Sequence, residues 1–256
     1  MNRLITLTLC LIALAYAAAC GALFAFQRSF IYHPQAQSVD TPLIRVPNGS
    51  DGVTVQASVR EHASTQAVVY FGGNAEDVSQ DLQPLSEAFP GHALYLLHYR
   101  GFGRSGGRPT EEAIQRDALA LFDLAHQKHG SVVVIGRSLG TGVAVRLASQ
   151  RPVSRLVLVT PYDSLQELAV RQFPFFPVRW LITDKFESWR YVAQVKAPAH
   201  LIMAEHDEVI PRASTEQLFS RFAKGVATLS VIPGVSHNTV MQHPSYLRLL
   251  SSTPGT

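Results

Sequence analysis

The chain has 256 residues, 46% hydrophobic and 16% charged, with a formal net charge of +3. A mean hydropathy of +0.09 excludes intrinsic disorder, and the length suits one domain, or two small ones, with a core that needs no staples. The 22 basic residues form no Lys/Arg block, so the pI near 9.0 reflects a small surplus and nucleic acid is not expected as a partner.

Leu4 to Phe26 is 23 residues without a charge, and 20 of them are hydrophobic. A helix of that length crosses a bilayer. Residues 1–28 therefore read as an uncleaved, single-pass signal-anchor. Three other readings stand beside it: a signal cleaved near Ala17-Ala18-Ala19, a lipidated Cys20, and a buried core helix. The last suits so long and uniform a run least. Arg3 and Arg28 give the charge-bias rule little to act on; the domain that follows is assigned to the periplasmic or outer face. Cys10 and Cys20 are the only cysteines, so the rest of the chain can form neither an internal disulfide nor a Cys-based zinc site.

Residues 29–256 read as one domain. Val53–Arg60 alternates with period 2 and predicts a half-buried strand. Short apolar runs at Ala67–Phe71, Leu94–Tyr99, Ser131–Ile135, Leu156–Thr160, His200–Ala204 and Thr228–Ile232 predict buried strands. Helical patterns fall at 77–88, 111–127, 139–149, 213–222 and 244–250. Such alternation predicts a mostly parallel, doubly wound α/β sheet. Residues 161–192 break the rhythm with prolines and aromatics. They read as a small cap in which Phe173, Phe175, Phe176 and Trp180 would bind substrate; the plainer alternative is a crossover helix with an irregular approach.

The most informative run is Ser131 to Gly142. An apolar strand enters Gly136-Arg137-Ser138-Leu139-Gly140, and a helix pattern follows. In that context a strained turn lifts the Ser138 hydroxyl above the strand end, and the Leu139 N–H opens the helix where an oxyanion would be favoured. Ser138 is the expected nucleophile. It needs a base. His237, directly after the last predicted strand, fits better than His243, which lies at a helix start. His98 and His206 read as structural or supporting. The acid should follow the preceding strand, and Asp207 is the first choice. Glu205 and Glu208 are alternatives, with Asp163 and Asp184 weaker. A second oxyanion donor is expected from the glycine-rich turn Gly72-Gly73-Asn74-Ala75, from the N–H of Asn74 or Gly73.

Taken together these residues resemble an α/β-hydrolase, and within that family the membrane-anchored branch of Bem46-like and ABHD-type proteins. The likeness runs from Phe26-Gln-Arg-Ser-Phe-Ile-Tyr32-His-Pro34 through Gly73-Asn74-Ala75, Tyr99-Arg100-Gly101-Phe102-Gly103-Arg104-Ser105-Gly106, Gly136 to Gly142, Pro161 to Leu165 and Asp184 to Ser188, to the Asp207 and His237 loops. Two positions depart from it. Gly72 stands where the family usually has a histidine that orders the oxyanion loop, and Glu205 where it usually has glycine. The resemblance implies acyl transfer to water from a small, lipid-like acyl ester or thioester, with Ser138, His237 and Asp207 as triad. It implies no metal and no organic cofactor. Amide hydrolysis by the same fold, and a catalytically silent membrane-bound scaffold, are the competing functions. No feature of the sequence sets an oligomeric state.

Overall fold

A computed structural model of the chain describes residues 2–47 and 52–252; the last four residues of the predicted second domain lie outside them. The chain opens with α1 (Asn2–Ile31). An eight-stranded sheet follows, from β1 (Leu43–Arg45), β2 (Gln56–Arg60), β3 (Gln66–Phe71), β4 (Ala93–His98), β5 (Ser131–Arg137), β6 (Arg155–Val159) and β7 (Ala199–His206) to β8 (Ala227–Ser236). The spatial order is β1-β2-β4-β3-β5-β6-β7-β8. The pairs β1–β2 and β2–β4 are antiparallel, and all later pairs are parallel.

The apolar runs are continuous because the central strands are covered on both faces. Val68 and Tyr70 of β3 point into one core layer with Leu85, Tyr246 and Leu250. Ala67, Val69 and Phe71 point into the other, with Ile114, Leu121 and Val143. The first face is covered by α2 (Leu82–Ala88) and α8 (Tyr246–Ser251). The second is covered by α3 (Glu111–His129) and α4 (Leu139–Ala148). The predicted helix at 213–222 is α7 (Arg212–Ser220). That at 77–88 divides into a single 3₁₀ turn, Val78–Asp81, followed by α2.

Three features differ from the sequence reading. The half-buried strand begins at Gln56 rather than Val53. The short edge strand β1, three residues long, carries too little pattern to be read. The 161–192 region is not one crossover helix. It consists of α5 (Leu165–Gln172), α6 (Val178–Leu181) and two 3₁₀ turns. Pro174 and Pro177 divide the two helices, since neither can donate to a continuing helix.

The helix α1 is long and apolar enough to cross a membrane, and none of its most apolar window is buried. That exposure excludes the core-helix reading. Its C-terminal end is instead fastened to the cap. Arg28 Nε donates to Asp184 Oδ2 at 3.0 Å, the Tyr32 hydroxyl donates to the same oxygen at 3.0 Å, and Thr183 N donates to Gln27 Oε1 at 2.7 Å.

The loop after β4 is pinned to α3. Arg100 donates from Nε and Nη2 to the two oxygens of Asp117 at 2.8 and 2.9 Å, and both side chains are buried. Removing one partner strands a buried charge. Asp117→Ala is therefore expected to destabilise the domain by about 3–5 kcal/mol, read as a fall in the urea midpoint. An unchanged midpoint would show that the loop does not depend on this pair.

Candidate active site

The strand β5 ends in a turn that glycine makes possible. A Cβ on Gly140 would run into the carbonyl oxygen of Phe71, and one on Gly136 into the carbonyl of Gly140. Ser138, between them, has φ 48° and ψ −117°. That is a costly conformation for a residue with a side chain. It is held by Ser138 N donating to Val159 O at 2.9 Å and by Thr141 Oγ1 donating to Ser138 O at 2.7 Å.

The structure brings Ser138, His237 and Asp207 together from three loops. Ser138 Oγ lies 3.0 Å from His237 Nε2. His237 Nδ1 lies 2.9 and 3.0 Å from Asp207 Oδ2 and Oδ1. The side chains of Asp207 and His237 are 4% and 6% exposed, so water barely competes for the line. The Asp207 carboxylate is oriented by its own loop, accepting from Val209 N at 3.0 Å and Ile210 N at 2.7 Å.

The alternative acids lie elsewhere. Glu208 accepts from the backbone N of His237 at 3.2 Å. Glu205 accepts from Gly234 N at 2.8 Å, so the residue that replaces the usual glycine ties the Asp207 loop to the His237 loop. Asp163 faces Arg221 at 3.5 Å, and Asp184 serves the α1 clamp. Among the other histidines, His98 sits in a buried hydroxyl chain, 2.7 Å from Ser58 Oγ, with its pKa pushed down to about 4 by burial. His206 is exposed beside Glu205. His243 bonds to Ser245.

The glycine-rich turn Gly72 to Ala75 is built around a residue the sequence reading passed over. Glu76 Oε2 accepts from Gly73 N at 2.8 Å and from Arg137 Nη1 at 2.5 Å, while Oε1 accepts from the Tyr70 hydroxyl at 2.5 Å. Both members of the Glu76–Arg137 pair are largely buried. Arg137 is the x residue before Ser138 in the Gly-x-Ser-x-Gly run, so one ion pair joins the elbow to the glycine-rich turn, and a Cβ on Gly72 would run into the Glu76 carboxylate. Because the Gly73 N–H is spent on Glu76, Asn74 is left as the donor of that turn that could face the site. Asn74 is itself anchored to the end of α1: its Nδ2 donates to Ile31 O at 2.9 Å, and its carbonyl accepts from His33 N at 2.9 Å.

Behind this pair, burial and the negative charge of Glu76 push the Asp81 carboxyl from 3.8 up to about 9. A folded-state value above the unfolded one means that Asp81 favours folding at low pH, and that this contribution fades as pH rises toward about 9. Asp81→Asn, which cannot ionise, should gain stability relative to the native chain between about pH 5 and about pH 9. Urea midpoints of the two proteins across that range check this; parallel curves would refute it.

Ser138 opens on a cavity of about 270 Å³ lined by Leu139, Asn74, Phe30 and Ile31 of α1, Ala169 and Phe173 of the cap, and Val209 and Ile210, among others. Of the four aromatic residues expected to bind substrate, Phe173 is on its wall. The other three are not. Phe176 stacks on Tyr16 of α1. Phe175 and Trp180 are 85% and 88% exposed. Phe173 is the C-cap residue of α5, and the other three follow it beyond Pro174. Among the described residues, no group of three or more His, Cys, Asp or Glu side chains is placed to hold a metal ion.

The family model for the alpha/beta hydrolase fold matches residues 66–188, from β3 through the elbow and most of the cap. An uncharacterized protein of Mycobacterium tuberculosis is 34% identical over 244 residues, covering 89% of this chain and 86% of that one. The lysophosphatidylserine lipase ABHD12 of Macaca fascicularis is 31% identical over 185 residues, covering 62% of this chain and 46% of that one. The esterase Pf2001 of Pyrococcus furiosus superposes with a TM-score of 0.63 at 20% identity, covering 82% of this chain and 87% of that one. The sheet order, the strand–elbow–helix unit at Ser138 and these matches agree, and the chain has the α/β-hydrolase fold.

Proposed function

We propose that the chain is a membrane-anchored serine hydrolase that cleaves acyl ester or thioester bonds of a lipid-like or acylated substrate. The observation that carries this reading is the buried line from Asp207 through His237 to Ser138 Oγ, ending in an apolar cavity. His237 takes the proton from Ser138 as Oγ attacks the carbonyl carbon, and the Asp207 carboxylate holds the imidazole and stabilises its cation. The developing oxyanion faces the N–H groups of Leu139, at the start of α4, and Asn74. His237 then gives the proton to the departing alcohol or thiol, leaving Ser138 acylated. A water molecule attacks that acyl group, passes its proton to His237, and frees the acid; the proton returns to Ser138. The apolar wall of Phe30, Ile31 and Phe173 suits an acyl chain. The name of the macaque relative, a lysophosphatidylserine lipase, accords with a lipid ester.

The helix α1 holds the domain at the membrane, with the domain on the periplasmic or outer face. Its exposed apolar surface supports the first part of this reading. The protein should resist carbonate extraction, keep its N-terminal residues by mass, and be cut by protease added to cells stripped of any outer membrane but with the inner membrane intact. A mature chain starting at Cys20 with added lipid mass would overturn the spanning helix. For the activity, the full-length protein in detergent micelles should hydrolyse p-nitrophenyl esters. Failure with every chain length would favour the silent scaffold.

A further inference from the structure

The wall of the Ser138 cavity does not stop at the cap. Phe30 and Ile31 of α1, with Ala169 and Phe173 of the cap, also line a second, adjoining hollow. It continues along α1 past Leu23, with Leu181 and Ile182 opposite. The one polar side chain on it is Gln27, and both ends of that amide are engaged. Nε2 donates to Phe24 O at 2.8 Å and Leu181 O at 3.1 Å, and Oε1 accepts from Thr183 N at 2.7 Å and Thr183 Oγ1 at 3.0 Å. No Gln27 donor or acceptor is left to bind a head group, a sugar or an ion. The remaining lining can hold only hydrocarbon.

The direction of the hollow is equally informative. It runs along the helix read as crossing the membrane, away from Ser138. The cap follows α1 in the same direction: the Tyr16 hydroxyl donates to Phe175 O at 2.9 Å, and the Tyr16 ring stacks on Phe176 at 5.8 Å with 4° between the planes. Tyr16 lies ten residues before Phe26, about 15 Å along the helix. The cap loop therefore reaches well into the depth that the apolar run of α1 would span. Phe175 and Trp180, bare in the isolated chain, are suited to contact with lipid there.

We propose that α1 is part of the substrate site as well as an anchor. The crevice between α1 and the cap holds the acyl chain of a membrane-resident ester or thioester, with the carbonyl at Ser138 and the chain running toward the bilayer along Leu23 and Leu181. This inference rests on the serine hydrolase reading above and adds to it where the chain lies. Burying each further methylene in an apolar slot raises kcat/KM roughly threefold to fourfold, so a steep rise from acetyl to decanoyl esters follows.

The test is the ratio of kcat/KM for p-nitrophenyl decanoate to that for p-nitrophenyl acetate, measured on the full-length protein in nanodiscs. Leu23→Trp fills the slot from the helix, on a surface outside the core of the soluble domain, and Leu181→Trp fills it from the cap. Each should lower the ratio at least tenfold, chiefly through KM for the long ester. Leu14→Trp, on the exposed surface of α1, should leave it unchanged. A flat length profile in the native protein overturns the slot and leaves the hydrolase reading standing. So does a ratio untouched by Leu23→Trp and Leu181→Trp, or lowered equally by Leu14→Trp. No turnover of any ester by the native protein overturns both.

Discussion

Ser138→Ala should lower kcat/KM for a short nitrophenyl ester by about four to six orders of magnitude, and His237→Ala by a similar factor. The two groups act as a unit, 3.0 Å apart, so the double variant should be little worse than either single one. What remains should be the background supplied by binding and the oxyanion donors. The folded state should not suffer from the serine change, because the substitution removes one hydroxyl from a turn held largely by backbone bonds. Alanine has the same Cβ as serine, so the strain at φ 48° is little altered. A Ser138→Ala protein with native circular dichroism and native activity would end the assignment.

Glu76 is the second large effect, and its two consequences can be separated. Glu76→Ala leaves the buried Arg137 cation without its partner, at a cost of about 3–5 kcal/mol. It also leaves the Gly73 N–H and the Tyr70 hydroxyl without an acceptor, at about 1–3 kcal/mol each. Together these approach the whole stability of an ordinary domain, about 5–15 kcal/mol, so this variant should fold poorly. Glu76→Gln keeps an acceptor for Gly73 and Arg137, loses the charge, and puts an NH2 donor where Oε1 accepted from the Tyr70 hydroxyl. It should fold, melt lower, and lose about 10- to 100-fold in kcat with KM little changed, because the oxyanion donors act chiefly in the transition state. The double variant Glu76→Leu/Arg137→Leu removes both charges and should recover stability relative to Glu76→Ala, but not kcat. Recovery of kcat along with stability would show that Glu76 only supports the fold. Steady-state kinetics on a short ester and thermal melts of the same preparations decide between these outcomes.

Much of the fold was legible because buried strands write themselves as short β-branched runs. Val132 to Ile135 could hardly be anything else once a helix pattern followed it, and Leu156 to Val159 is an apolar run of the same length. The Gly136 to Gly140 turn was legible for a steric reason: only glycine tolerates the approach of Phe71 and Gly140 carbonyls there. Glu76 was not legible. In sequence it is one acid among several before a helix, and its importance comes from Arg137, 61 positions away, turning back toward the same turn. The aromatic cap shows the converse limit. Phe173 and Phe175 have the same side chain and nearly the same position in the chain, yet one lines the Ser138 cavity and the other is bare. They lie on either side of Pro174, and composition carries no trace of which one faces the cavity. Nor could the sequence tell that α1 would form a wall of the cavity, since an apolar run predicts only that something apolar surrounds it.

The most direct test of the account is the site of covalent capture. The full-length protein, in micelles, is treated with a fluorophosphonate, digested, and mapped by mass. One phosphonyl adduct is expected, on the peptide that carries Ser138, lost in Ser138→Ala and strongly slowed in His237→Ala. An adduct that persists in Ser138→Ala, or that maps to another residue, would contradict it.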